Sequence, residues 1–142
     1  MVDWKRPAII LTAAAVVILD QVTKHYAKNM EPKNLFSFLW LRLTTNTGSG
    51  FGLFQDKTVP LIILSFAAIG IIIYYFFRIQ DDMIGTVLLG LLLGGTVGNL
   101  IDRIAYGYVI DFIDFSFWPS FNIADSALSV GAIGIMLYYW KK

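Results

Sequence analysis

The chain has 142 residues, of which 57% are hydrophobic and only 15% are charged, and its mean hydropathy is +0.67. Such a composition is too apolar for an ordinary soluble fold and predicts a single integral membrane domain that covers residues 1–142. The formal net charge is +1 and no Lys/Arg-rich run occurs, so no nucleic acid partner is expected. The absence of cysteine excludes disulfides, thiolate nucleophiles and Cys-ligated metals.

Four segments are long and apolar enough to cross a hydrocarbon core, which takes about 20 residues. They predict transmembrane helices at about residues 8–26, 59–77, 83–101 and 124–140. Lys5 and Arg6 precede the first apolar run, as they would in a cleaved signal peptide, but the run continues into DQVTK. We therefore interpret it as a retained helix. The polar connection 28–58 is predicted to be a turn-rich loop.

The polar residues of the apolar segments gather at one end of the predicted bundle. In an up-and-down chain of four helices, the end of the first helix, the long connection, the end of the third helix and the start of the fourth lie on one membrane side. That side receives Asp20, Lys24, Asn46, Asn99, Asp102, Arg103, Asp111, Asn122 and Asp125. Lys and Arg divide almost evenly between the two sides, so they do not fix the orientation.

The stretch 106–127, YGYVIDFIDFSFWPSFNIADSA, places carboxylates among large apolar residues. If it is extended, its side chains alternate between two faces. Asp111 is then the only polar residue on the face that holds Val109, Asp111, Ile113, Phe115 and Phe117. Because an unpaired carboxylate is costly to bury, Asp111 is a candidate functional residue. Asp114 falls on the other face and is predicted to be a solvated charge at the rim.

Asp125 has two compatible interpretations. Asn122 and Asp125 have the spacing of a helix N-cap and an acidic residue three positions later, where the helix dipole stabilises a negative charge. Alternatively, Asp111 and Asp125 could form a pair in apolar surroundings. Two close carboxylates hold one proton between them, which is the chemistry of aspartic proteases.

Two further polar pairs have helical i, i+4 spacing. Asp20 and Lys24 predict an ion pair that lowers the cost of placing both charges within the membrane. Asn99 and Arg103 lie at the end of the third helix, where the guanidinium could hold a peptide carbonyl, organise the carboxylates or pair with a nearby aspartate.

The third helix also carries Gly90, Gly94 and Gly98 at four-residue spacing. Small residues in this pattern predict close helix packing within a membrane. No sequence pattern indicates a metal site, a nucleotide-binding loop or a Ser/His/Asp arrangement, and neither a metal nor a cofactor is expected.

Five motifs stand in order along nearly the whole chain: LDQVTK at 19–24, NTGSGFG at 46–52, GGTVGNLIDR at 94–103, VIDF at 109–112 and FNIADS at 121–126. Together they resemble the lipoprotein signal peptidase (signal peptidase II) family. The resemblance implies a membrane aspartic endopeptidase that removes the signal peptide from diacylglyceryl-modified prolipoproteins, cutting before the lipid-modified cysteine. Two features depart from the family pattern: Ser49-Gly50 replaces small alanines, and the segment between Asp111 and Asp125 is short.

The same resemblance implies roles for individual residues. Asp111 and Asp125 would be the catalytic pair. The residues that shape the substrate site would be Asn46, Gly48, Asn99, Arg103 and Asn122, and the supporting pair would be Asp20 and Lys24. The enzyme would lie in the cell (cytoplasmic or inner) membrane with both termini cytoplasmic and its site at the outer face. Its partners would be prolipoproteins and membrane lipid, and we expect a monomer.

The predicted fold is therefore an all-α membrane protein, a single peptidase domain of four transmembrane helices with a small extracytoplasmic β platform near the active site. The alternative is a small transporter or ion-pathway subunit that uses its intramembrane acids. Transporter sites tend to lie near the bilayer midplane, whereas these acids gather near one interface. A purely structural assembly protein would leave Asp111 unexplained.

Overall fold

The computed structural model describes residues 5–48, 57–78 and 82–140, with side chains from Pro7 onward. Its helices are α1 (Lys5–Lys28), α2 (Thr58–Arg78), α3 (Met83–Tyr106) and α4 (Ile123–Trp140). Each is long and apolar enough to cross a membrane. Helix α3 continues past residue 101, where the sequence predicted its end, and stops at Gly107, which adopts a left-handed φ of 79°. The Gly107 N–H donates to the Arg103 carbonyl, a usual helix ending.

Helix α3 lies at the centre of the bundle and packs against the other three helices. A Cβ atom on Gly94 would stand 2.7 Å from the carbonyl oxygen of Ala13 in α1. On the neighbouring side, a Cβ atom on Gly95 would stand 2.6 Å from the carbonyl oxygen of Ala124 in α4. The predicted close packing along the glycine ridge is confirmed, because only a residue without Cβ fits at these crossings.

The described residues also form one antiparallel sheet in the order β1-β2-β3-β4. Its strands are β1 (Lys33–Phe36), β2 (Leu39–Asn46), β3 (Val109–Phe115) and β4 (Trp118–Phe121). Strands β1 and β2 lie in the connection that the sequence predicted to be a loop. That prediction was wrong because LWLRLTTN gains its strand partner from β3, about 70 residues away in the chain.

The sheet is attached directly to the helical bundle. Only Gly107 and Tyr108 separate α3 from β3, and only Asn122 separates β4 from α4. The short segment between Asp111 and Asp125 therefore holds a hairpin.

The burial of β3 does not alternate as predicted. Ile110, Asp111 and Phe112 are 1%, 1% and 8% exposed, because β3 has a strand on either side and also contacts α1 and α3. Phe117 lies in the turn after β3 rather than on the strand.

Candidate active site

Asp111 is a buried carboxylate held by two amide side chains. Its Oδ1 accepts a hydrogen bond from Nδ2 of Asn122 at 2.8 Å, and its Oδ2 accepts one from Nδ2 of Asn46 at 3.3 Å. Burial, together with the negative charge of Asp125, raises the pKa of Asp111 from 3.8 to about 7, against the opposing effect of the two amide donors and Lys24. Near neutral pH, Asp111 can therefore carry a proton.

Asp125 lies in the first turn of α4 and forms a reciprocal cap with Asn122. The backbone N–H of Asp125 donates to Oδ1 of Asn122 at 2.9 Å, and the backbone N–H of Asn122 donates to Oδ2 of Asp125 at 3.2 Å. This geometry confirms the helix-cap interpretation. Since Asn122 holds Asp125 with its backbone and Asp111 with its side chain, one residue fixes both carboxylates relative to each other.

Next to this pair, between α1 and α3, lies a buried cluster of charged side chains. Nζ of Lys24 is 2.7 Å from Oδ2 of Asp20 and 2.9 Å from Oδ2 of Asp102, so the predicted i, i+4 ion pair is present and has a third member. All three residues are at most 1% exposed. The other oxygen of Asp20 accepts the N–H of Ala124 at 2.9 Å, which ties α1 to the head of α4.

Asn99 connects the charge cluster to Asp125. Its Oδ1 accepts from Nζ of Lys24 and from Nδ2 of Asn122, both at 3.1 Å. Its Nδ2 donates to Oδ1 of Asp125 at 2.8 Å. An ammonium group can only donate, so Lys24 requires the amide oxygen of Asn99 to face it, and the amide nitrogen is left for Asp125.

Gly48 is held between β2 and α3. Its N–H donates to Oδ1 of Asn46 at 2.9 Å, and its carbonyl accepts from Nη2 of Arg103 at 3.1 Å. Arg103 thus holds a backbone carbonyl of this chain and lies within electrostatic reach of Asp125 and Asp111. Ser49 and Gly50 lie outside the described residues.

A cavity of about 630 Å³ opens beside these groups. Asp125 and Arg103 reach it from the helices, and β4 contributes an apolar wall with Trp118 and Phe121. Its lining comprises Thr45, Asn46, Asn99, Arg103, Val109, Trp118, Pro119, Ser120, Phe121, Asp125, Ser126, Leu128, Ser129 and Val130. Asp111 is buried at 1% exposure behind this lining. Within the described ranges, no buried side-chain nitrogen or oxygen lacks a hydrogen-bond partner.

The prediction that Asp114 is a solvated rim charge was wrong. Asp114 is only 8% exposed, and its carboxylate is paired with the guanidinium of Arg42 on β2. Arg42 lies two residues after Trp40, the residue of β2 that is directly opposite Asp114. The sequence did not reveal this partner because the pairing of β2 with β3 joins segments far apart in the chain.

Sequence reasoning also left Asp102 outside the candidate site. Its Oδ2 accepts the N–H of Ile110 at 3.0 Å and its Oδ1 accepts Nε2 of Gln21 at 3.0 Å. The available signal was its position three residues after Asn99, on a helix already rich in polar residues at that end.

The protein has four helices of membrane-spanning length and two carboxylates bridged by Asn122 beside a cavity. These features define an integral membrane protein with an enzyme-like site. The chain belongs to the signal peptidase (SPase) II family, whose model matches residues 12–141.

Proteins named lipoprotein signal peptidase are among its relatives. That of Halothermothrix orenii is 32% identical over 142 residues, covering 94% of this chain and 96% of the relative. That of Caldanaerobacter subterraneus subsp. tengcongensis is 41% identical over 130 residues, covering 87% and 90%. A solved structure described as a bacterial membrane enzyme, determined by the in meso method at 2.3 Å resolution, has a TM-score of 0.86 at 35% identity and covers 94% of this chain and 87% of its own.

Proposed function

We propose that this protein is a membrane aspartic endopeptidase that removes the signal peptide from diacylglyceryl-modified prolipoproteins, cutting before the lipid-modified cysteine. The observation that carries the proposal is the pair of carboxylates, Asp111 and Asp125, held by the single residue Asn122 at a cavity near the end of the bundle. Family membership and the name of the relatives support the substrate class and do not favour a transporter.

The two carboxylates hold one proton between them before reaction. Asp125 lies in the first turn of α4, where the helix dipole stabilises a negative charge, so it is suited to the ionised role. It removes a proton from a water molecule whose oxygen forms a bond to the scissile carbonyl carbon. Asp111 donates its proton to the carbonyl oxygen at the same time, which yields a neutral gem-diol.

Breakdown of the gem-diol restores the pair. The proton taken by Asp125 passes to the leaving nitrogen as the C–N bond breaks, and one hydroxyl of the diol returns its proton to Asp111. The products are the carboxylic acid of the signal peptide and the free amine of the modified cysteine, and one water is consumed. Burial of Asp111 favours its protonated form, which this sequence of steps requires.

The surrounding residues take positioning roles. Asn46 and Asn122 hold Asp111, Asn99 holds Asp125, and Arg103 holds the Gly48 carbonyl at the cavity wall. Together these residues shape the site in which the substrate backbone lies. The supporting pair is Asp20 and Lys24. Lys24 orients Asn99, and Asp20 holds the first turn of α4 through the N–H of Ala124.

A cut close to a lipid anchor requires a site near the membrane surface, and the cavity at the sheet-bearing end of the helices suits that requirement. The sheet would then be extracytoplasmic, with both termini cytoplasmic. We infer a single peptidase domain that acts as a monomer in the cell membrane, with prolipoprotein and membrane lipid as its partners.

The test is incubation of the purified protein in lipid nanodiscs with a diacylglyceryl-modified prolipoprotein. Loss of the signal peptide, with the new N-terminus at the modified cysteine, is the expected result. The matched control is the same precursor without the lipid modification, which should remain uncut. Failure to cut the modified precursor, or equal cutting of both precursors, would contradict the proposal.

A further inference from the structure

Five phenylalanine rings form a continuous cluster on the sheet. Ring centroids are 5.8 Å apart between Phe36 and Phe38, 6.2 Å between Phe38 and Phe115, and 5.9 Å between Phe115 and Phe121. Phe117 adds a further ring 5.5 Å from Phe115. Phe36, Phe38 and Phe117 are 61%, 47% and 74% exposed, an unusual amount of uncovered aromatic surface. We call these five residues the phenylalanine cluster.

The register of the sheet puts the strand residues of the cluster on the face that carries Asp111. Asp111 and Phe115 are four residues apart on β3, and side chains of a strand return to the same face every second residue. Phe115 is directly opposite Leu39 on β2, which is in turn opposite Phe36 on β1. Directly opposed residues share a face.

A bulge in β1 is what brings Phe36 to that face. Pairing runs from Asn34 opposite Trp40 to Phe36 opposite Leu39, so Leu35 is an extra residue. Without the bulge, Phe36 would share a face with Asn34, two positions earlier. Bulges commonly re-aim a side chain in this way.

The two faces of the sheet differ in polarity. The face opposite the cluster carries Asn34 and Trp40, together with the ion pair between Arg42 and Asp114. An element with a charged face and a bare aromatic face has the amphipathic character of structures that lie in a membrane interface.

The cluster faces the bundle side of the sheet. Asp111, on the same face, is bonded to Asn122 at the head of α4. At roughly 3.3 Å per residue, Phe115 lies about 13 Å further along β3. The exposure of Phe117 and Phe36 shows that the described protein does not cover the face at this distance.

Exposed tyrosines mark the level of the interface next to the sheet. Tyr26, near the end of α1, is 71% exposed, and Tyr106, the last residue of α3, is 46% exposed. Nζ of Lys28 lies 3.7 Å from the centroid of the Tyr106 ring. Tyrosine and lysine at helix ends are typical of the headgroup level, and β3 begins three residues after Tyr106.

We propose that the phenylalanine cluster is inserted in the headgroup and acyl boundary of the bilayer, as a continuation of the lipid-facing surface of the helices. The partner is the lipid surface itself. Because Asp111 shares the inserted face, the cluster fixes the height of the candidate site relative to the membrane. This inference depends on the membrane-spanning helices and not on the catalytic role of any residue.

Site-directed spin labelling tests the proposal, since the chain has no native cysteine. Single cysteines at Phe36 and Phe117 are labelled with a nitroxide in lipid nanodiscs, and collision rates are measured with oxygen, which partitions into lipid, and with a water-soluble nickel chelate. Ile63 on α2, 64% exposed, supplies the lipid reference, and the exposed Asn34 supplies the aqueous one. Each labelled protein must elute as the unmodified protein does.

The oxygen-to-nickel collision ratio at Phe36 and Phe117 should exceed that at Asn34 and approach that at Ile63. A ratio equal to that of Asn34 would mean that the cluster faces water, and would overturn the proposal. Exclusion of both reagents would mean that protein covers the cluster, and would overturn it as well. The two positions lie in different hairpins, so either one gives a result if the other variant does not fold.

Discussion

Asn122 couples helix capping to the geometry of the two carboxylates. An N-cap residue uses its side-chain oxygen for the first turn of the helix, which leaves the amide nitrogen of Asn122 for Asp111. An aspartate at this position would cap the helix equally well but would present no donor to Asp111, and would add a third negative charge. The chemistry of the site thus explains why the cap is an amide.

The raised pKa of Asp111 predicts how stability depends on pH. The folded state keeps a proton on Asp111 up to about pH 7, whereas the unfolded chain releases it near 3.8, so the free energy of unfolding falls as pH rises through this window. A shift of this size is worth on the order of 4 kcal/mol. Asp111→Asn removes the titrating group, and its melting temperature should fall less than that of the unmodified protein between about pH 4 and pH 7.

Asp114→Asn is the matched control for that pH series. It removes a carboxylate that lies on the same strand as Asp111 but is paired with Arg42. It should retain the slope of the unmodified protein. Equal slopes for all three proteins, measured by thermal unfolding in detergent, would contradict a raised pKa at Asp111.

The charge cluster around Lys24 leads to a second prediction. Lys24→Met leaves the carboxylates of Asp20 and Asp102 buried without their cation, which should lower the free energy of unfolding by about 3 to 5 kcal/mol. The control is Lys28→Met, which removes an exposed lysine one turn later in α1. If thermal unfolding shows equal stability for the two variants, Lys24 does not have the assigned role.

At the scale of elements, the helices could be predicted from the sequence and most of the sheet could not. Twenty apolar residues in a row have few alternatives in a membrane, so α2 was predicted within one residue at each end. Strand β2 depends on long-range pairing with β3, and β1 depends in turn on β2, while the register shift that aims Phe36 leaves no mark in the local sequence.

A tightly packed glycine in α3 and an uncrowded glycine in α2 should respond differently in stability when each is replaced by alanine. A Cβ atom on Gly98 would lie 2.7 Å from Oδ2 of Asp20 and 3.2 Å from Cβ of Ala124, so Gly98→Ala should destabilise the bundle by about 1 to 3 kcal/mol. Gly70 in α2 has no neighbouring atom within 4 Å of the added Cβ, so Gly70→Ala should be neutral or stabilising. Melting temperatures in one detergent compare them directly, and a Gly98→Ala variant as stable as Gly70→Ala would refute the packing argument.

At the scale of the whole molecule, helix parity alone predicted that Asp20, Lys24, Asn99 and Asp125 would meet at one end of the bundle, and their contacts confirm it. The up-and-down order of the helices does not determine which individual hydrogen bonds form between these side chains. The bridging by Asn122 and the third member of the Lys24 cluster depend on how α1, α3 and α4 rotate about their axes, which only packing decides.

The proposed orientation predicts a labelling pattern in intact cells. A cysteine at Asn34 in the sheet should react with a membrane-impermeant maleimide from outside, because the proposed orientation puts the sheet at the outer face. A cysteine at Gln80, in the connection between α2 and α3, should react only after the membrane is opened. Reaction of both positions from the same side would exclude the four-span arrangement.

The most direct test of the central claim is the rate at which Asp111→Asn, Asp125→Asn and their double variant release the signal peptide from a diacylglyceryl-modified prolipoprotein in nanodiscs. Each single variant should lose at least about 10³-fold in rate, and the double variant should be scarcely slower, because members of one catalytic unit are not additive. Asp114→Asn should retain substantial activity, since it faces Arg42 on the other side of the sheet. Normal cleavage by Asp111→Asn or Asp125→Asn would contradict the account.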